Sequence, residues 1–446
     1  MKRASTSMLA GIVLAILATE TADAGVFNPE TFMLPNGMQV VVVPNHRAPV
    51  ATQMVWYKVG SADEAPGESG IAHFLEHLMF KGTKTRAPGE FSKIVARNGG
   101  RENAFTSFDY TAYHQTFAVD RLETMMEMEA DRMTNLTITE KEVEPERQVV
   151  LEERRMRTDN NPASILREQV AAVQFYNYPY RRPIIGWEHE IRALDLDRIR
   201  AFYKRWYAPN NAILVVAGDV TAAKLKPLAE KYFGVIPAQP PTVRTRPEEP
   251  PQSTARVVTL KDPRVRQPSW SRSFMAPSYR YGDTGHAYAL EVLAEILGGG
   301  ATSRLYGALV VGQGVADSAG GYYDPSNRGP SRFGFYATPR RGSTIEQVEA
   351  AVAAEIGHLL KDGVTENEVA RAKKRLMAEA LFARDSLTTG ARALGASLAI
   401  GRTVEDVESW PERIGAVTAV QVIAAAKAVL TQRGHVTAHL LPADQP

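Results

Sequence analysis

No cysteine occurs among the 446 residues. Disulfides, thiolate nucleophiles and cysteine-ligated metal sites are thereby excluded. An exported chain of this kind must draw its stability from its cores, not from covalent staples. Neither charge dominates: 52 Lys and Arg stand against 50 Asp and Glu, a net charge of +2. Nothing in that balance argues for a nucleic-acid partner or a basic membrane face. Beyond residue 24 no apolar run is long enough to cross a bilayer. What remains is the composition of a folded globular protein, 44% hydrophobic and 23% charged. The length exceeds what one compact core accommodates.

The first 24 residues read as an address. Lys2 and Arg3 precede an apolar run of eleven residues, Met8 to Ala18. That run is too short to span a bilayer. Ala22-Asp23-Ala24 matches a small-residue cleavage signal. Residues 1–24 are therefore expected to be a secretory signal peptide, with an uncleaved anchor as the alternative. The mature chain is expected to begin near Gly25, to reach a bacterial periplasm, and to keep no stable membrane insertion after cleavage.

Residues 237–256 hold six prolines and no long apolar run. The prolines stiffen this stretch, and it reads as a linker between an N-terminal domain, 25–236, and a C-terminal domain, 257–446. The two parts echo each other. Thr139-Glu-Lys-Glu142-Val143 recurs as Thr365-Glu-Asn-Glu368-Val369, each a capping box that opens a helix. Trp187, Ile191, Ala193 and Leu194 recur as Trp410, Ile414, Ala416 and Val417. The two offsets, 226 and 223 residues, agree closely enough to argue for a duplication.

Met38 to Pro44 and Ala212 to Gly218 read as strands, being short and rich in β-branched residues. Arg121 to Met133 and Asp197 to Trp206 read as helices. The expected fold class is α+β: two homologous sandwich-like halves, each a largely antiparallel sheet with helices.

One segment carries chemistry: Gly70-Ile-Ala-His73-Phe-Leu-Glu76-His77-Leu-Met-Phe80. Ile71, Phe74, Leu75 and Leu78 give a helix one buried face. At about 100° per residue, Glu76 lies roughly 60° to one side of His73, and His77 roughly 40° to the other. Two imidazoles at i and i+4 can reach one Zn²⁺. Glu76, between them, can take a proton from a water that the metal has acidified. A third protein ligand is needed, and the glutamate-rich stretch 140–157 offers several candidates. Glu146 and Glu153, seven apart, share one helix face there. Pro145 is expected to kink the first turn. His435 and His439 are also four apart, but in a strand-like context where that spacing makes no turn; they read as structural.

His-x-x-Glu-His is the inverzincin signature. Its setting, HFLEHLMFKGT, resembles the pitrilysin/insulinase family, especially the branch of mitochondrial processing peptidase and its bacterial relatives. Gly298-Gly-Gly-Ala-Thr-Ser303-Arg304-Leu305 in the second half belongs to the same resemblance. The resemblance implies a zinc metallopeptidase that hydrolyses short or unfolded peptides, with one Zn²⁺ per chain; cobalt or manganese suits the same ligands. It implies Glu153 as third ligand, since the family places one about 76 residues beyond the second histidine. It implies Glu146 as an accessory acid in the catalytic network. Asn103, Ala104 and Phe105, followed by Thr106, match an edge strand that pairs with the substrate backbone. It also implies that two halves form only half of a clamshell, so that a second chain completes the chamber.

One departure stands out. The family carries an Arg and a Tyr, seven apart, that stabilise the oxyanion. Counted from Ser303-Arg304-Leu305, those positions hold Val310 and Asp317. Tyr322 and Tyr323 lie nearby, within reach only after a loop shift. Either the pair comes from a partner subunit of the same family, which is the favoured reading, or the register of the glycine-rich segment is misjudged. Without such a partner a homodimer is expected. A non-catalytic peptide-binding or scaffold subunit is the alternative function.

Overall fold

A computed structural model describes residues 25–443; the expected signal peptide lies outside the described residues. Among the described residues, eleven strands form two sheets. The first contains β1 (Glu30–Met33), β2 (Gln39–Pro44), β3 (Val50–Tyr57), β4 (Arg101–Thr106), β5 (Thr111–Ala118) and β6 (Ala212–Gly218). The second contains β7 (Arg256–Asp262), β8 (Ser269–Ala276), β9 (Ala316–Tyr323), β10 (Ser331–Pro339) and β11 (His435–Pro442).

Their orders are β1-β2-β6-β3-β5-β4 and β7-β11-β8-β10-β9. After the extra strand β1, the two sheets repeat one pattern. The first and last strands of each half pair in parallel, and every other neighbour is antiparallel. Repeated topology is what a duplicated chain produces, and the fold is α+β with two homologous halves. Both capping boxes form: the backbone N–H of Thr139 donates to Glu142 at 3.1 Å, and that of Thr365 to Glu368 at 2.8 Å.

The valine run of β2 is buried on both faces, as an unbroken apolar strand should be. Val40 and Val42 face the helices of their own half. Val41 and Val43 point to the opposite face, as a period of two requires. There they meet Leu394 and Leu398 of the Leu387–Ala399 helix, which belongs to the second half. A Cβ on Gly395 of that helix would lie 2.1 Å from the Trp56 ring, so glycine is what permits the contact. The exchange is mutual. Leu166 and Val170, on the Pro162–Gln174 helix of the first half, pack on Val258, Leu260, Ala438 and Leu440 of the second sheet. Each half covers a sheet of the other, which a division at the proline-rich stretch does not convey.

Residues 237–255 form neither helix nor strand. They are nevertheless strapped down. Arg246 bonds Asp63 at 2.9 Å and Asp109 at 2.5 Å, both buried side chains of the first half. Glu249 accepts the backbone N–H groups of Tyr176, Asn177 and Tyr178. Among the described residues no helix is long and apolar enough to cross a membrane.

Candidate metal centre

The helix Ile71–Leu78 begins where two backbones touch. Gly70 and Gly186 both have φ 91°. A Cβ on Gly70 would lie 2.5 Å from Ile185 O, and one on Gly186 would lie 2.4 Å from Ser69 O. Only glycine combines that conformation with that proximity. Glu64, fully buried, caps the helix start by accepting the N–H groups of Gly70 and Ala72, each at 3.0 Å. Burial pushes its carboxyl up to about 8, against the opposing pull of those two donors. Ile71, Ala72, Phe74, Leu75 and Leu78 enter the core. Their burial turns His73, Glu76 and His77 toward a cleft.

The facing helix, Glu140–Arg154, is anchored through Val143, Val150 and Leu151. It continues through Pro145, which supplies no backbone N–H to the helix. Glu146 and Glu153 project from it toward the histidines. A single-turn π-helix, Arg155–Asp159, follows.

His73 Nε2, His77 Nε2 and a carboxylate oxygen of Glu153 lie within 4.8 Å of one another. Glu153 Oε2 is 3.2 Å from His77 Nε2 and 3.7 Å from His73 Nε2. Ligands about 2.0–2.1 Å from a tetrahedral zinc stand roughly 3.3 Å apart. The spacing and the donor set, two imidazole nitrogens and one carboxylate, both fit Zn²⁺. His77 Nδ1 bonds Glu146 Oε1 at 2.9 Å, and Lys81 Nζ pairs with Glu146 Oε2. A carboxylate behind a ligating histidine fixes the tautomer and the ring.

The electrostatics divide the pair of histidines. Burial, and then the neighbouring His77, lower His73 to about 4, against the pull of the Glu153 carboxylate. Burial also works against charge on His77, but hydrogen bonds to Glu146 and Glu153 outweigh it and raise that ring to about 9. Burial raises the Glu76 carboxyl, opposed by a hydrogen bond from Thr106 Oγ1 to Glu76 Oε2 at 2.5 Å.

The cleft encloses about 1380 Å³, and all of its lining comes from the first half. Asn103 to Thr106 form one wall. They belong to β4, the outermost strand, which pairs with β5 alone. The Phe105 ring packs edge-on to Trp56 and beneath Arg392, so Phe105 offers the cleft mainly its backbone. Val310 and Asp317 do not border the cleft; Asp317 bonds Gln267 at 2.8 Å and Arg340 at 3.3 Å. Tyr322 and Tyr323 stand apart from it as well: the Tyr322 ring covers Gly334, and Tyr323 donates to Pro277 O at 2.8 Å. His435 and His439 sit in β11, one ring against Phe274 and the other 3.7 Å from Glu349.

Three neighbours of the site escape a reading of the motif alone. Thr106 touches Glu76, Lys81 touches Glu146, and Arg157 touches Glu153 at 2.6 Å. Lys81 and Arg157 each lie four residues beyond a candidate ligand, a spacing that points to them. Thr106 has no such local signal.

Comparison with known proteins places these features in a family. Residues 39–188 match the model of the insulinase family, peptidase family M16, and residues 193–376 match that of the peptidase M16 inactive domain. The chain is 35% identical to the zinc protease PqqE of Helicobacter pylori over 380 residues, 84% of this chain and 85% of that protein. It is 30% identical to an uncharacterized zinc protease of Mycobacterium tuberculosis over 417 residues, 92% of each. A protease crystal structure from Helicobacter pylori superposes with a TM-score of 0.85 at 31% identity, covering 93% of this chain and 99% of that one. The periplasmic protease PqqL of Escherichia coli superposes at 0.78 and 20% identity, a likeness of fold in which 94% of this chain covers 49% of the other.

Proposed function

Because the chain belongs to the insulinase family, peptidase family M16, we propose that it is a zinc endopeptidase or oligopeptidase acting on short or unfolded peptides. One observation carries this reading: Glu76 lines the same cleft as His73, His77 and Glu153, whose Oε2 lies near both Nε2 atoms. Zinc held there would acidify a water molecule and polarise the substrate carbonyl. Glu76 accepts the proton of the attacking water at Oε1, the oxygen that Thr106 leaves free, and delivers it to the departing amine nitrogen. Glu146 holds His77 through Nδ1. The open edge of β4 gives main-chain hydrogen bonds to an extended peptide without reading its side chains.

The chain is proposed to be the zinc-bearing subunit of a pair, located in the periplasm. Supporting this, the cleft is lined by the first half alone, and neither Val310 nor Asp317 offers the charge that oxyanion stabilisation needs. A second subunit of the same family would bring an Arg and a Tyr. Substituting Glu76→Gln tests the chemistry. Zinc content is expected to stay and proteolysis to fall by about 10²–10⁴-fold, the usual weight of a general base. Peptide binding that the substitution leaves unchanged, with no turnover by the parent chain alone or with a partner, would instead favour a non-catalytic peptide-binding subunit. Full turnover by the isolated parent chain would defeat the pairing.

A further inference from the structure

The metal trio uses one oxygen of Glu153, and the other is also engaged. Arg157 Nη1 lies 2.6 Å from Glu153 Oε1, while Oε2 faces the two imidazoles. The backbone at this point is fixed. Arg154, beside the ligand in sequence and buried, bonds Gly186 O at 2.9 Å and Glu168 at 2.8 and 3.0 Å. A π-turn closed by Asn160 N–H to Arg155 O at 2.9 Å then carries Arg157 back along the cleft wall.

An Arg–Glu pair along a helix is often a surface contact of little consequence. The neighbouring pair Arg155–Glu152 is of that kind, with both side chains more than half exposed. Arg157 differs in its acceptor. Glu153 is 13% exposed, and its second oxygen points at the metal position. A carboxylate with both oxygens free can bind a metal through either one or through both. A guanidinium on Oε1 removes that choice, and charge-assisted bonds of this kind are among the stronger ones.

We propose that Arg157 is a positioning residue of the metal centre: it grips Glu153 Oε1 so that Oε2 alone is presented to the metal, keeping a coordination position open to the cleft. This rests on the reading of His73, His77 and Glu153 as a metal site. It leaves the other N–H groups of Arg157, whose side chain is 74% exposed, facing the substrate space.

The test measures metal affinity and coordination. Zinc dissociation constants are determined by competition with a chromophoric chelator for the parent chain, Arg157→Gln, Arg157→Lys and Arg155→Gln, and cobalt-substituted forms are compared by absorption spectroscopy. Arg157→Gln is expected to weaken zinc binding about 10–100-fold, the usual effect of losing a group that holds a ligand. Its cobalt spectrum should shift as Glu153 changes its mode of binding. Arg157→Lys, which keeps the charge, should recover part of the affinity, and Arg155→Gln should match the parent. A parent that binds zinc while Arg157→Gln binds it equally well, with the same cobalt spectrum, overturns the role of Arg157. A parent that binds no zinc overturns the metal site beneath it.

Discussion

Thr106 donates its hydroxyl to Glu76 Oε2 across 2.5 Å, tying the edge strand β4 to the metal-site helix. The proposed substrate strand and the proposed base are thus one hydrogen-bonded unit. Hydrogen bonds to charged groups contribute about 1.5–3 kcal/mol. Thr106→Val keeps the shape and removes the donor. It should lower kcat roughly ten- to a hundredfold, on that scale, while zinc content stays at the parent level. Thr106→Ser should restore most of the rate. Steady-state kinetics with metal analysis of each variant provides the check.

Gly70 tests how tightly the metal-site helix is seated. Its left-handed φ alone costs an alanine about 1–2 kcal/mol. The approach of a Cβ to Ile185 O at 2.5 Å adds a clash with backbone that Gly186 holds in place. Gly70→Ala should therefore destabilise by more than about 2 kcal/mol, beyond the conformational cost alone. Gly67→Ala is the control: φ is 84° there, with nothing within 4 Å of the added carbon. Urea denaturation of the two variants should separate the clash from the backbone cost; equal losses would show that the seating is loose.

The exchanged helix makes a contrasting pair. Gly395→Ala drives a methyl group into the Trp56 ring and should destabilise by about 1–3 kcal/mol, the usual cost of overpacking. Gly357 lies exposed in the Ile345–Asp362 helix with open space around it. Gly357→Ala should stabilise by about 0.4–1 kcal/mol. Thermal unfolding of both should move the midpoints in opposite directions. Equal shifts would contradict the close contact between the halves.

Glu291 gives the stability a pH dependence away from the candidate metal centre. Its carboxyl accepts from Tyr279 at 2.5 Å and from Trp410 at 3.2 Å, and burial pushes it up from the ordinary 4.5 to about 7. The folded protein thus holds the proton more tightly than the unfolded chain does. The associated stability is full below about pH 4.5 and is lost as pH rises through about 7. At roughly 1.4 kcal/mol per unit, the loss is on the order of 3 kcal/mol. Glu291→Gln should reduce the slope across that window to the part that Glu64 contributes, and leave the variant more stable than the parent at pH 8. Denaturation midpoints measured from pH 4 to 8 check this: a slope as steep in the variant as in the parent would assign the whole dependence to Glu64 and other groups.

Several features were legible before any coordinates because they are local. The valines of β2, the capping boxes at Thr139 and Thr365, and the spacing of His73, Glu76 and His77 each express a backbone period or a turn rule within a few residues. The resemblance to a family then singled out Glu153 among neighbouring glutamates that spacing left equivalent.

By itself, then, the sequence determined the repeated α+β halves, through motifs that recur in register, and the face of the helix on which two imidazoles and a carboxylate meet, through its periodicity. Only the tertiary structure decided what surrounds them: the exchange of helices between sheets, the hydroxyl of Thr106 on Glu76 and the guanidinium of Arg157 on Glu153. It also decided that the second half contributes no lining to the cleft. The reason is physical. Backbone periods act over one or two turns, whereas packing joins residues hundreds of positions apart, and nothing in either segment alone specifies its partner.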